Sequence, residues 1–103
     1  MQQFFIDKFF VPARAVVAFK ARVKINRDFI RGLPGFIEDH VYEYTDEQGN
    51  LTCITVATWA SVEAVNKAKE AVQAEYKKQN FDPADMLEKL QIKMDRGVYK
   101  EVR

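Results

Sequence analysis

The chain of 103 residues is poor in the residue types that build most catalytic and metal centres. It has one histidine, His40, and one cysteine, Cys53, too few for the usual zinc ligand sets. A lone cysteine also excludes an intramolecular disulfide, so a reducing compartment suffices. Four glycines supply no phosphate-binding loop, because the only close pair, Gly32-Leu-Pro-Gly35, reads as a helix stop followed by a turn. No G-x-S-x-G nucleophile motif occurs. No apolar run reaches the roughly 18 residues that a membrane crossing needs. The opening Met1-Gln-Gln-Phe-Phe-Ile-Asp7 lacks the basic stretch and long apolar run of a signal peptide. These absences lead to the expectation of a cytoplasmic protein with no metal site, no cofactor-binding motif and no membrane segment.

What is present is apolar and unevenly charged. A 48% apolar content is high for one small domain and suggests that some apolar surface is covered by a partner. Net charge is +1, yet residues 1–35 carry seven basic and two acidic groups while residues 36–50 carry five acidic and none basic. Such blocks usually end as solvated faces; the functional alternative is attraction of an anionic small molecule toward the first helix.

Hydrophobic spacing divides the chain into seven elements. Phe4, Ile6, Phe9 and Val11 mark a first strand over 3–11. Pro12 suits the first position of a helix that runs to about Arg31 and stops at Gly32. Val16, Phe19, Val23 and Ile30 form its buried stripe, interrupted by Asn26, while Ala18, Ile25 and Phe29 form a second apolar side. The second strand, Phe36 to Thr45, sets Phe36, Glu38, His40, Tyr42 and Tyr44 on one face. Gln48-Gly-Asn50 supplies a hairpin loop, and the Thr- and Val-rich third strand, Leu51 to Thr58, returns. A helix capped by Ser61 runs to about Asn80 with Val65, Ala68, Val72 and Tyr76 inward. Asp82-Pro-Ala-Asp85 starts a short third helix ending near Leu90. The last strand is expected at Gly97–Val102, with 91–96 unassigned.

This β-α-β-β-α-(α)-β order gives an α+β, ferredoxin-like βαββαβ domain over 1–103, with a four-stranded antiparallel sheet and helices on one face. The Leu33-Pro-Gly-Phe36 joint and the strand-end Trp59 resemble the antibiotic biosynthesis monooxygenase (ABM) domain family of the dimeric α+β barrel superfamily. That resemblance implies a homodimer packed through the sheet faces and a cofactor-independent monooxygenase acting on phenol, quinol or polyketide-like aromatic substrates. Trp59 matches a position that lines a cleft between sheet and helices in relatives, where an indole stacks a flat substrate; the alternative is a core tryptophan. Asp7 stands where relatives carry an asparagine, so a desolvated Asp7 would act as a base where they place a donor. The haem-degrading branch carries a histidine about ten residues after its tryptophan. Here Lys69 stands there, so no haem is expected.

Among the remaining polar residues, His40 is the only imidazole and the other candidate base. Tyr42 and Asn26 are candidate donors, and Phe19 and Val23 are candidate walls of a substrate pocket. Asn26 needs a partner, from a ligand or from the neighbouring loop. The third strand has no central aromatic and no basic residue, which removes RNA recognition on this topology and leaves no nucleic-acid partner expected. Two other readings fit the same fold. One is a non-catalytic dimeric ligand-binding or stress-response barrel, the other a cofactor-free isomerase or decarboxylase.

Overall fold

The computed structural model describes residues 1–103. Its strands are β1 (Gln3–Val11), β2 (Phe36–Thr45), β3 (Leu51–Trp59) and β4 (Lys93–Tyr99). Its helices are α1 (Val16–Ile30), α2 (Val62–Lys78) and α3 (Pro83–Leu90), with a single 3-10 turn at Ala13–Ala15 before α1. The strands form one antiparallel sheet in the order β2-β3-β1-β4, the ferredoxin-like arrangement expected from the sequence.

Local chemistry explains most boundaries. Ser61 caps α2 by accepting from the Ala64 N–H, and Asp82 caps α3 by accepting from Ala84 and Asp85, with Pro83 in the first turn. In the β2–β3 hairpin, Gly49 takes a φ of 85° while Asp46 accepts from the Gln48 and Asn50 N–H groups.

Three boundaries differ from the sequence reading. Pro12 opens the 3-10 turn, so the α-helix begins only at Val16. Gly32 does not take the left-handed stop conformation; the positive φ, 83°, falls on Gly35, where the chain passes so close to α2 that a β-carbon would overlap the Ala64 side chain. The last strand begins at Lys93, not Gly97. Gln91 ends α3 in the left-handed conformation (φ 56°), and the buried Ile92 then anchors the start of β4. Gly97 lies inside that strand, where a β-carbon would sit 2.8 Å from Cε1 of Tyr99.

The register assigns the faces. Phe5, Asp7, Phe9 and Val11 of β1 share the helix-covered face with Cys53, Thr55, Ala57 and Trp59 of β3. A bulge between Phe36 and Glu38 breaks the alternation of β2, so Phe36 joins the helix side while His40, Tyr42 and Tyr44 lie on the other. The expectation of one face for all five residues therefore fails at Phe36.

Two apolar clusters lie under the helices. Val11, Ala15, Phe19, Leu51, Cys53 and Ile92 form the first, and Ala57, Trp59, Ala64, Val65 and Ala68 the second. The opposite face carries Phe10, Tyr42, Tyr44 and Tyr99 exposed at 43–67%. The molecule is a slab, 40 × 38 × 18 Å, with only 13 of its 103 residues buried. That is little burial for so apolar a chain. Its accessible surface of 7,103 Å² exceeds by roughly 1,100 Å² the value of about 6,000 Å² usual for a monomer of this mass.

Candidate active site between sheet and helices

The gap between the two clusters is polar. Strand register places Val41, Thr55, Asp7 and Arg96 in one row across the sheet. Phe9, on one side of that row, packs on the first cluster and Phe5, on the other, packs on the second. Asp7 is 7% exposed. Arg96 grips it with two hydrogen bonds, Nε to Oδ1 at 2.7 Å and Nη2 to Oδ2 at 3.0 Å. The bond to Asp7 raises the Arg96 pKa further above its ordinary value, against the opposing effect of burial. The same guanidinium lies 4.9 Å from the Phe5 ring centroid.

Tyr76 of α2 is half-buried, and burial raises its phenol pKa while the positive charges of Arg22 and Arg96 pull the other way. Arg22 of α1 donates from Nη2 to Gln79 Oε1 and stands over the Phe81 ring at 3.5 Å from its centroid, fixing the α2–α3 connection onto α1. Asn26 lies between Val23, which packs on the first cluster, and Ile30, which packs on the second. Its Oδ1 is buried with no hydrogen-bond partner, so the bond to a neighbouring loop considered from the sequence is not made.

A separate groove of about 340 Å³ lies between α1 and β2, floored by Phe19, Val23, Val41 and Cys53. Charged residues rim it. Arg27 and Arg31 both meet Asp39, at 2.6 and 3.3 Å, and Lys20 meets Glu43 at 3.2 Å. Burial opposes ionisation of Asp39, but the hydrogen bonds and charges of Arg27 and Arg31 outweigh it and leave its pKa lowered. The basic helix flank and the acidic second strand are thus largely each other's partners, and the charge asymmetry of the sequence is spent inside the fold. Burial, followed by the charge of Glu43, pushes the Cys53 thiol up to about 11, so it is an unreactive core thiol near neutral pH.

The candidate residues fall in several places. Asp7 belongs to the polar row, and Asn26 lies on α1 between Val23 and Ile30. Phe19 and Val23 line the α1–β2 groove, with Phe19 also in the first cluster. His40 and Tyr42 stand together on the open sheet face, rings 6.2 Å apart, and do not join Asp7. Trp59 is 3% exposed in the second cluster, its ring set edge-on to Phe36 at 5.5 Å. Asp7 is not the isolated desolvated carboxyl expected of a base, because a guanidinium holds both of its oxygens. Lys69 extends over the Phe5 ring, 5.8 Å from its centroid. Sequence reasoning missed Arg96, which lay in the unassigned 91–96 stretch; the alternation Met94, Arg96, Val98 was the signal. No three His, Cys, Asp or Glu side chains converge as a metal site, and no helix is long and apolar enough to cross a membrane.

No family model matches the chain, and no curated protein matches it in sequence. Solved structures do match. SnoaB from Streptomyces nogalater, a cofactor-independent oxygenase, is 18% identical with a TM-score of 0.71 over 99% of this chain and 94% of its own. A candidate monooxygenase from Shewanella loihica PV-4 is 22% identical with a TM-score of 0.71, covering 99% of this chain and 95% of that one. A Nitrosomonas europaea protein described as a candidate antibiotic biosynthesis monooxygenase is 14% identical with a TM-score of 0.71, over 98% and 90%. The fold is that of the antibiotic biosynthesis monooxygenases. It sets the polar row of this chain in the same framework as a cofactor-independent oxygenase, at identities that carry no residue roles across.

Proposed function

We propose that this chain is a small-molecule enzyme of the cofactor-independent monooxygenase type, acting on an electron-rich phenol or quinol. One observation carries the reading: the buried Asp7 carboxylate, gripped by the half-exposed Arg96 and paired in register with Thr55, lies between two apolar clusters. A few polar groups converging between two apolar clusters suit a flat ring with oxygen substituents. Arg96 uses Nε and Nη2 on Asp7, which leaves Nη1 outside that pair. Asp7 is then the positioning residue, and Arg96 the donor that favours the phenolate form of the substrate. The anion itself reduces dioxygen. A C–O bond forms at the ring carbon, and the hydroperoxide loses water to leave a carbonyl, so one oxygen atom ends in product and one in water.

Dioxygen uptake with a panel of phenols and quinols, with no cofactor added, tests this. Wild-type protein is expected to consume oxygen, and Arg96→Lys, which keeps the charge but loses the fork, to be slower by tenfold or more. Binding of panel members without any uptake above the uncatalysed rate would discard the enzyme and leave the binding-barrel reading. That alternative gains from one observation, the distance of His40 from Asp7, which leaves no free base beside the row.

We also propose that the protein works as a homodimer packed through its open sheet faces. The support is the excess surface of roughly 1,100 Å² per chain, comparable to the ~800 Å² per partner of a standard interface. The exposed Tyr42, Tyr44, Tyr99 and Phe10 lie on that face. Sedimentation velocity at micromolar concentration is expected to show a dimer, and a stable monomer there would remove the proposal.

A further inference from the structure

Two buried side-chain polar atoms in the chain have no hydrogen-bond partner, Arg22 Nε and Asn26 Oδ1. Four residues apart on α1, they belong to side chains that neighbour each other on one helix face. One atom is a donor; the other is an acceptor. A buried polar atom without a partner is unfavourable, and no other side chain or backbone group of the fold pairs with either. Neither atom is set by chance. Arg22 is held by Gln79 on one side and by the Phe81 ring on the other, while Asn26 occupies the break in the apolar stripe between Val23 and Ile30.

We propose that Arg22 Nε and Asn26 Oδ1 together bind a neutral hydroxyl group of an aromatic ligand. A single un-ionised phenol oxygen accepts from the guanidinium and donates its proton to the amide oxygen, satisfying both atoms at once. A carboxylate would satisfy Arg22 but set its lone pairs against Asn26 Oδ1. A bare ring satisfies neither. This deepens the oxygenase reading and rests on it: one hydroxyl is held protonated at α1, while the oxygen that ionises is the one that Arg96 meets.

The test measures binding under nitrogen, separately from turnover, with 2-naphthol, 2-naphthoate and naphthalene as probes. Wild-type protein is expected to prefer 2-naphthol at least tenfold over both others. Asn26→Leu, which replaces an unsatisfied amide by an apolar side chain of similar size, is expected to raise the Tm of the free protein while weakening 2-naphthol at least tenfold and sparing naphthalene. Arg22→Lys keeps the charge but removes Nε, and the same selective loss is expected. A lowered Tm in Asn26→Leu would mean that the amide already has a partner, such as a buried water, in the free protein, and would overturn the proposal. So would unchanged 2-naphthol binding in both variants, a preference for 2-naphthoate, or no binding of 2-naphthol at all. Selective 2-naphthol binding without oxygen uptake on any phenol would sink the oxygenase reading and leave this site standing.

Discussion

Trp59→Ala is expected to lower the unfolding free energy by about 3–5 kcal/mol, the range for removing a large buried aromatic side chain. The indole is 3% exposed, meets Phe36 edge-on, and closes the second cluster with Ala64, Val65 and Ala68. In a domain whose total stability is about 5–15 kcal/mol, that loss takes much of the folded population. Trp59→Phe keeps most of the volume and is expected to cost only about 1–1.5 kcal/mol, with ring-ligand binding intact. Urea unfolding beside ligand titration checks both. If the phenylalanine variant keeps its stability and loses ligand, the indole faces a pocket and the packing account is wrong.

Gly35→Ala is expected to destabilise by about 2–5 kcal/mol. The left-handed backbone costs a side-chain-bearing residue roughly 1–2 kcal/mol, and the overlap with Ala64 adds an overpacking term of about 1–3 kcal/mol. Gly32→Ala is the control. Its φ lies outside the left-handed region and its nearest neighbour, the Phe29 carbonyl oxygen, is 3.8 Å from the added carbon. That change is expected to stay within about 0.5 kcal/mol. Equal effects from the two substitutions, measured by thermal unfolding, would show that the joint between α1 and β2 can shift to admit a side chain.

The contrast between these two glycines also shows what was readable in the sequence. Element order, hairpin and caps follow from local signals, and Ser61, Asp82 and Gly49 act as their chemistry dictates. The choice between Gly32 and Gly35 as the left-handed residue depends on the nearness of α2, which no local pattern records. Period-two alternation correctly put His40 with Tyr42, but both faces of β2 are mixed, so nothing local told which face the helices cover. The bulge that moves Phe36 is equally silent in the sequence. Asp7 stood out as a carboxylate in an apolar strand, yet its partner Arg96 lies 89 residues away in a stretch without a clear pattern. Asn26 was legible for the opposite reason: an amide inside an apolar stripe is a local anomaly, and the structure leaves it unpartnered.

The pairing of β1 with both β3 and β4 carries a consequence for how the chain is made. Within this domain β1 precedes every other element yet is an inner strand of the finished sheet, and one of its two neighbours, β4, comes last in the domain's chain order. Contacts of such long sequence separation form slowly, because the loop they close must be ordered before they contribute. Until residue 93 and its successors appear, one side of β1 is a bare edge and Asp7 has no counter-charge, a state open to pairing with another nascent chain. Synthesis of this domain therefore ends with the step that both completes the sheet and neutralises its buried carboxylate.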